Sequence, residues 1–406
     1  MLYNISMSKN YNLTLTACSI GYILQASINN LLPLLFVYFT SGYGIPLSFI
    51  TAIVSFNFIL QILVDTFSSK FIIKIGYKNA GITSAVFGLV GFIVLGLTPI
   101  IFKGTVGILV GIIIAVTLMA VGSGLSEVAL SPIVEALPFD NKSSKMSFLH
   151  SFYPLGHLFI ILLATVYFWV FGIENWNYLA FFIVIIPLIE ICLFIKSPVV
   201  NPNEEEKKVK KLALFKDKTF ILLFVLMVGA GASEQAIAQW ASYFAESGLK
   251  VSKTMGDLIG ASAFALFMFI SRFSYGLSKD KINLNKFIVF CSACLIACYL
   301  LSVLQPSAVV SLIFVALSGL FVGIMWPGVY SIGGKLFSSG GTAMFSMLAL
   351  GGDLGCTLGP LVVGMVASQT SVGLGVLLAT VFPIIMLVGM LMLNRKERKG
   401  LITIKD

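Results

Sequence analysis

Glu127 lies in an apolar stretch and is flanked by Gly122 and Gly124. A carboxylate at mid-membrane costs about 2.5–3.5 kcal/mol on insertion scales, so an acid found there is a functional candidate by default. Desolvation favours the neutral form of a carboxyl, and a modest rearrangement can then load or release a proton. Glu127 is thus read as a proton-coupling site. Two other readings stay open: a direct ligand of a solute, or a protonated or amide-paired group that only joins helices. No basic residue is expected at its depth.

A second set of residues carries hydrogen-bonding chemistry. Tyr22, Gln25 and Asn29 fall at i, i+3 and i+7, which stacks them on one face of a helix. Glu234, Gln235 and Gln239 do the same 210 residues later, with Trp240 beside them. Amides offer donor and acceptor together, which suits a hydroxyl-bearing solute, while Trp240 and Trp326 present flat apolar faces of the kind sugar rings stack upon. The competing reading is hydrogen bonding between helices, worth about 0.6–2 kcal/mol per contact and most serious for Asn30.

Other polar residues have more than one reading. Asn57, Gln61 and Asp65 form a stripe at i, i+4 and i+8. Asp65, Asp280 and Lys281 sit at helix ends and are read as gating or packing groups. His150 and His157 share one apolar segment and read as hydrogen-bonded structural histidines, with titration near neutral pH as the alternative. Asp353 follows Gly351-Gly352 and is either a second proton-coupling site or the acceptor for a buried donor. Cys291 and Cys294 form a C-x-x-C without a His or acid nearby, so no metal or redox centre is read there. The chain has no G-x-S-x-G, no H-E-x-x-H and no phosphate- or dinucleotide-binding glycine loop. It is read as a non-enzyme without a cofactor.

The elements that must position these residues follow from composition. Of 406 residues, 58% are hydrophobic and only 11% charged, far from the roughly one quarter charged of soluble proteins. Stretches of about 20 apolar residues recur, each long enough to cross a hydrocarbon core of roughly 30 Å. They fall at 11–40, 44–64, 80–101, 105–130, 146–171, 177–195, 219–245, 255–278, 285–304, 308–334, 341–368 and 372–393. An all-α membrane protein of twelve transmembrane helices is expected. With the first residues inside the cell, 23 of the 26 Lys and Arg, Arg272 among them, fall at the cytoplasmic side and only Lys103, Lys250 and Lys253 outside. The net charge of +9 is therefore an orientation signal, with both termini cytoplasmic at the cell membrane, and not a mark of nucleic-acid binding.

Residues 196–218 hold two prolines, the acidic run Glu204 to Glu206 and seven lysines, which reads as a solvated linker between bundles at 1–195 and 219–406. The halves are related. G-x-x-x-Q-A-x-x-[NQ] occurs from Gly21 and again from Gly231; Asp65 answers to Asp280, Pro132 to Pro327, and Ser147 with Gly156 to Ser346 with Gly355. Four matches in one order imply two pseudo-symmetric six-helix bundles.

With those residues in hand, the chain resembles the major facilitator superfamily over nearly its whole length. The superfamily's loop motif G-x-x-x-D-[RK] is matched by Gly276, Asp280 and Lys281, and in part by Asp65. Gly122-x-Gly124-x-x-Glu127 with Ser131-Pro132, and Ser151-Phe152 with Gly156, look like the fucose:proton symporter branch. That branch tends to carry an acid in the first span, where this chain has only amides. The resemblance implies a secondary carrier working by alternating access with proton coupling, and a sugar as the small hydroxylated solute. One chain contains both bundles and is expected to act as a monomer in the lipid bilayer. The alternatives are a proton-driven exporter of amphipathic compounds and, in another class, a membrane receptor or membrane-embedded enzyme.

Overall fold

A computed structural model of the protein describes residues 10–139, 142–200, 211–277, 283–337 and 341–400. Among these, twelve helices are long and apolar enough to cross a membrane: spans 1 to 6 at Tyr11–Gly42, Leu47–Ser68, Tyr77–Ile101, Gly104–Val134, Phe148–Phe171 and Ile173–Lys196, and spans 7 to 12 at Lys218–Ala238, Lys253–Tyr275, Leu284–Leu304, Ala308–Leu336, Met347–Gln369 and Val372–Arg398. Helix is the outcome that lipid dictates, because it satisfies every backbone N–H and C=O within the segment. The large side chains left exposed, such as Phe67, Val106, Trp169 and Phe182, are apolar and suit a hydrocarbon surround.

Spans 1 and 7 are the innermost. The most apolar window of span 1 is 83% buried and that of span 7 is 72%, against 39–56% for the other ten. These two spans carry the repeated amide pattern, so the repeat places its polar residues at the centre of the molecule. Span 1 packs on span 5, and span 7 on span 11. Small residues permit both approaches. A Cβ at Gly156 of span 5 would fall 2.8 Å from the Ile23 Cα of span 1, and a Cβ at Gly355 of span 11 would meet the Val228 carbonyl of span 7. The paired glycines thus do the same work in the two six-helix bundles.

Several spans are interrupted toward the end that carries the 1–2 and 7–8 connections. Span 1 tightens into a 3-10 turn at Leu32–Leu35, where Pro33 lacks an N–H. Span 7, expected to run unbroken to 245, ends at Ala238; Trp240 N–H then bonds to the Ile237 carbonyl in a tighter turn before the chain resumes as Phe244–Gly248 with π geometry. Span 8 contains a second π segment at Gly256–Ser262. Such bulges re-aim side chains and are frequent at functional sites.

The two bundles meet most closely at the end that carries the 1–2 and 7–8 connections. There Phe36 of span 1 packs on Trp240, with centroids 5.4 Å apart, and Thr51 of span 2 abuts Gly364 of span 11. Lys253 supplies a latch. Its Nζ donates to the Leu34 carbonyl at 2.6 Å, pairs with Asp257 Oδ2 at 3.0 Å and stands 5.8 Å from the centroid of the Phe168 ring in span 5. Asp257 is fully buried, and its other oxygen accepts from Ser242 Oγ at 2.5 Å. In the adjoining loop, burial raises the pKa of Glu246 and the Lys253 charge draws it partly back.

Lys253→Met keeps the stem but strands Asp257 without a cation. A loss of about 3 kcal/mol is expected, discounted toward the lower end of the buried-pair range because Lys253 is partly exposed. Thermal unfolding in detergent reads the change, and adding Asp257→Asn should recover most of the midpoint. An unchanged midpoint in Lys253→Met would show that the latch does not hold this end.

Candidate functional site

Burial at the core of spans 1 and 7 forces their polar side chains to find partners. Gln25 Nε2 donates to Glu127 Oε2 at 2.6 Å, which joins span 1 to span 4. One turn earlier on span 1, the Tyr22 hydroxyl lies 2.9 Å from Ser131 Oγ, one turn beyond Glu127, and its ring meets that of His150 edge-on with centroids 5.2 Å apart. Tyr22, Gln25 and Glu127 are therefore one group.

Asn29 organises a second group. Its Oδ1 accepts from Gln61 Nε2 at 3.0 Å and from Asn57 Nδ2 at 3.2 Å, and Gln61 Oε1 accepts in turn from Ser123 Oγ at 2.8 Å. From the other bundle, Gln239 Nε2 donates to the Asn29 backbone carbonyl and to Gln235 Oε1, both at 3.0 Å. The repeated amides thus touch across the interface. In this conformation the pocket between Asn29, Asn57, Met119 and Gln239 has a volume of about 20 Å³, space for roughly one water.

Glu234 is held differently. Arg272 Nη2 donates to its Oε2 at 2.6 Å, and Arg272 Nε donates to the Gly323 carbonyl at 3.2 Å. The Arg272 side chain is 10% exposed and that of Glu234 6%, so this is a buried ion pair. Here the structure corrects the sequence reading. Arg272 does not belong to the cytoplasmic loop cations: its side chain is buried and pairs with Glu234 of span 7. The cause is position: Arg272 lies within the eighth span, where a buried cation needs an acid partner.

The remaining expected residues are scattered. Trp240 is fully buried, with Nε1 donating to the Pro360 carbonyl at 3.1 Å, so its ring belongs to the seal between bundles in this conformation. Trp326 packs its ring against Gly352, one residue before Asp353. His157 is buried, with its ring 6.3 Å from Phe264 of span 8. Asp280 and Lys281 lie outside the described residues, as does the side chain of Asp65. Sequence reasoning missed Arg272, Asp257 and Tyr153, whose hydroxyl accepts long contacts of 3.5 Å from Asn29 and Asn30. A charge inside an expected span was the signal available for Arg272 and Asp257.

Twelve membrane-spanning helices in two pseudo-symmetric bundles, with a polar centre shared between them, define a multi-pass membrane protein of transporter architecture. The chain belongs to the Major Facilitator Superfamily, whose family model matches residues 18–360. Members of this superfamily move small solutes, often with protons. Among solved structures the chain is similar to the E. coli fucose:proton symporter, at 15% identity and TM-score 0.67, covering 95% of this chain and 99% of that one. It is also similar to a D-xylose-proton symporter, at 13% identity and TM-score 0.73 over 92% and 97%, and to a nucleoside transporter, at 14% and 0.69 over 94% and 99%. No curated protein sequence matches the chain.

Proposed function

We propose that the protein is a secondary carrier for a small hydroxylated solute, a sugar in the first instance, coupled to protons. The bundles at 1–195 and 219–406 rock about the central site, with residues 196–218 as the cytoplasmic linker. Both termini face the cytoplasm of the cell membrane, and one chain suffices. The observation that carries the reading is the Asn29–Gln239 contact, which puts amide donors and acceptors from both bundles at one point beside Gln25 and Glu127. An opening of that contact frees Asn29, Gln235 and Gln239 toward a solute, with Glu234 and Arg272 at its edge. Solved sugar–proton symporters with the same fold support the choice of solute.

The test is a thermal-shift screen of the purified protein against sugars, sugar acids, nucleosides and cationic dyes. A ligand at about 100 times its Kd should add about 2.7 kcal/mol of stability. A shift with a sugar is expected. A shift confined to cationic dyes would overturn the sugar assignment in favour of an exporter of amphipathic compounds.

A further inference from the structure

Glu190, in span 6, is an acid that the site above does not use. It is 0% exposed, and neither carboxyl oxygen has a hydrogen-bond partner among the described residues. Span 1 meets it at Gly21, where a Cβ would fall 2.6 Å from Oε1, so the absent side chain makes room for the carboxyl. The groups around it offer little compensation. Span 1 brings Cys18 and, a turn further on, Tyr22 with the neighbouring His150 of span 5. Span 4 brings Leu130, which packs on Gly21. Span 3 brings Tyr77 to the adjoining apolar cluster, while Lys78 is engaged elsewhere, donating to the Ile195 and Ser197 carbonyls at 2.8 and 3.1 Å.

An ionised carboxylate in that setting loses its hydration with no donor or cation in return, a cost of several kcal/mol. Glu190 is therefore a neutral acid in this conformation and carries a proton. Its position gives that proton a route. Thr14, Cys18, Gly21 and Gln25 fall at i, i+4, i+7 and i+11, on one face of span 1. At one end of this face Thr14 Oγ1 donates to the Pro198 carbonyl just past span 6, and at the other Gln25 donates to Glu127. At about 1.5 Å of rise per residue, Glu190 lies about 10 Å from Ser197, and Gly21 about 6 Å along the helix from Gln25.

We propose that Glu190 is a second proton-binding site, placed on span 1's path between the linker end of the membrane and Glu127. The assignment rests on the carrier reading of the protein for its purpose, though not for its measurement. When span 1 shifts against span 6, the carboxylate takes one proton from water or returns it; only an O–H bond is made or broken.

The experiment is infrared spectroscopy of the full chain in nanodiscs, without solute, in H2O and D2O across a pH series. A carbonyl band of a protonated carboxylic acid is expected in the wild type. A component of it should shift in D2O, disappear reversibly at alkaline pH, be lost from E190Q, and persist in E127Q. E190D, which keeps the acid should E190Q fold poorly, should retain a titrating band at a shifted frequency. Three results would overturn the proposal: no such band in the wild type, a band in E190Q identical to that of the wild type, or a Glu190 band that neither exchanges with D2O nor responds to pH. Because no solute is involved, a carrier reading that fails in the stability screen leaves this outcome separately legible.

Discussion

Arg272→Gln is expected to destabilise the protein by about 3–5 kcal/mol, the cost of removing one partner from a buried ion pair. Glu234 is 6% exposed at its side chain, and its short bond to Arg272 is the one polar contact of its carboxyl among the described residues. Without the guanidinium, the acid must either protonate or remain charged in a dry setting. The Gly323 carbonyl loses a donor at the same time. The double variant Arg272→Gln/Glu234→Gln replaces the pair by neutral amides of similar shape and should recover most of the loss. Unfolding midpoints of the two single variants and the double variant give the coupling energy as a cycle. A cycle that sums to zero would show that the pair contributes nothing as a pair, and that Arg272 acts through Gly323 alone.

Glu127→Gln should abolish uphill accumulation while leaving solute exchange largely intact. Glutamine mimics the protonated acid permanently, and its carbonyl can still accept from Gln25, so the geometry between spans 1 and 4 survives. Proton affinity that depends on conformation is what links a gradient to transport. Opening of the contact between the bundles would hydrate Glu127 and favour its ionised form, which supplies such a dependence. Glu127→Asp should keep coupling with a displaced pH profile. If Glu127→Gln loses exchange and binding together, Glu127 is a solute ligand or a structural group instead.

Much of the fold was legible in the sequence for one physical reason. Lipid demands some 20 apolar residues per crossing, and that signal is hard to miss. The internal repeat was legible as well, because Gly156 and Gly355 are required by the same close approach in each bundle. The pairing of side chains was not. Tyr22, Gln25 and Asn29 share a face in any helix, but whether Gln25 meets Glu127 or a solute depends on how span 4 lies against span 1. Arg272 was misplaced because it was grouped with the loop cations that follow it, although it lies inside the expected span 255–278. Glu190 belongs to none of the repeated motifs, and only its charge inside an expected span marks it.

Proton-coupled transport through the Glu127 site is read directly in proteoliposomes. Proteoliposomes carrying the wild type, loaded with the sugar that gives the largest thermal shift, should accumulate it under a gradient of one pH unit. One proton per solute sustains a ratio of about tenfold, since one unit corresponds to about 1.36 kcal/mol. Glu127→Gln vesicles should stop at a ratio of one while still exchanging labelled for unlabelled solute. Wild-type vesicles that never exceed a ratio of one, or that hold it unchanged when the gradient is collapsed, would contradict the account.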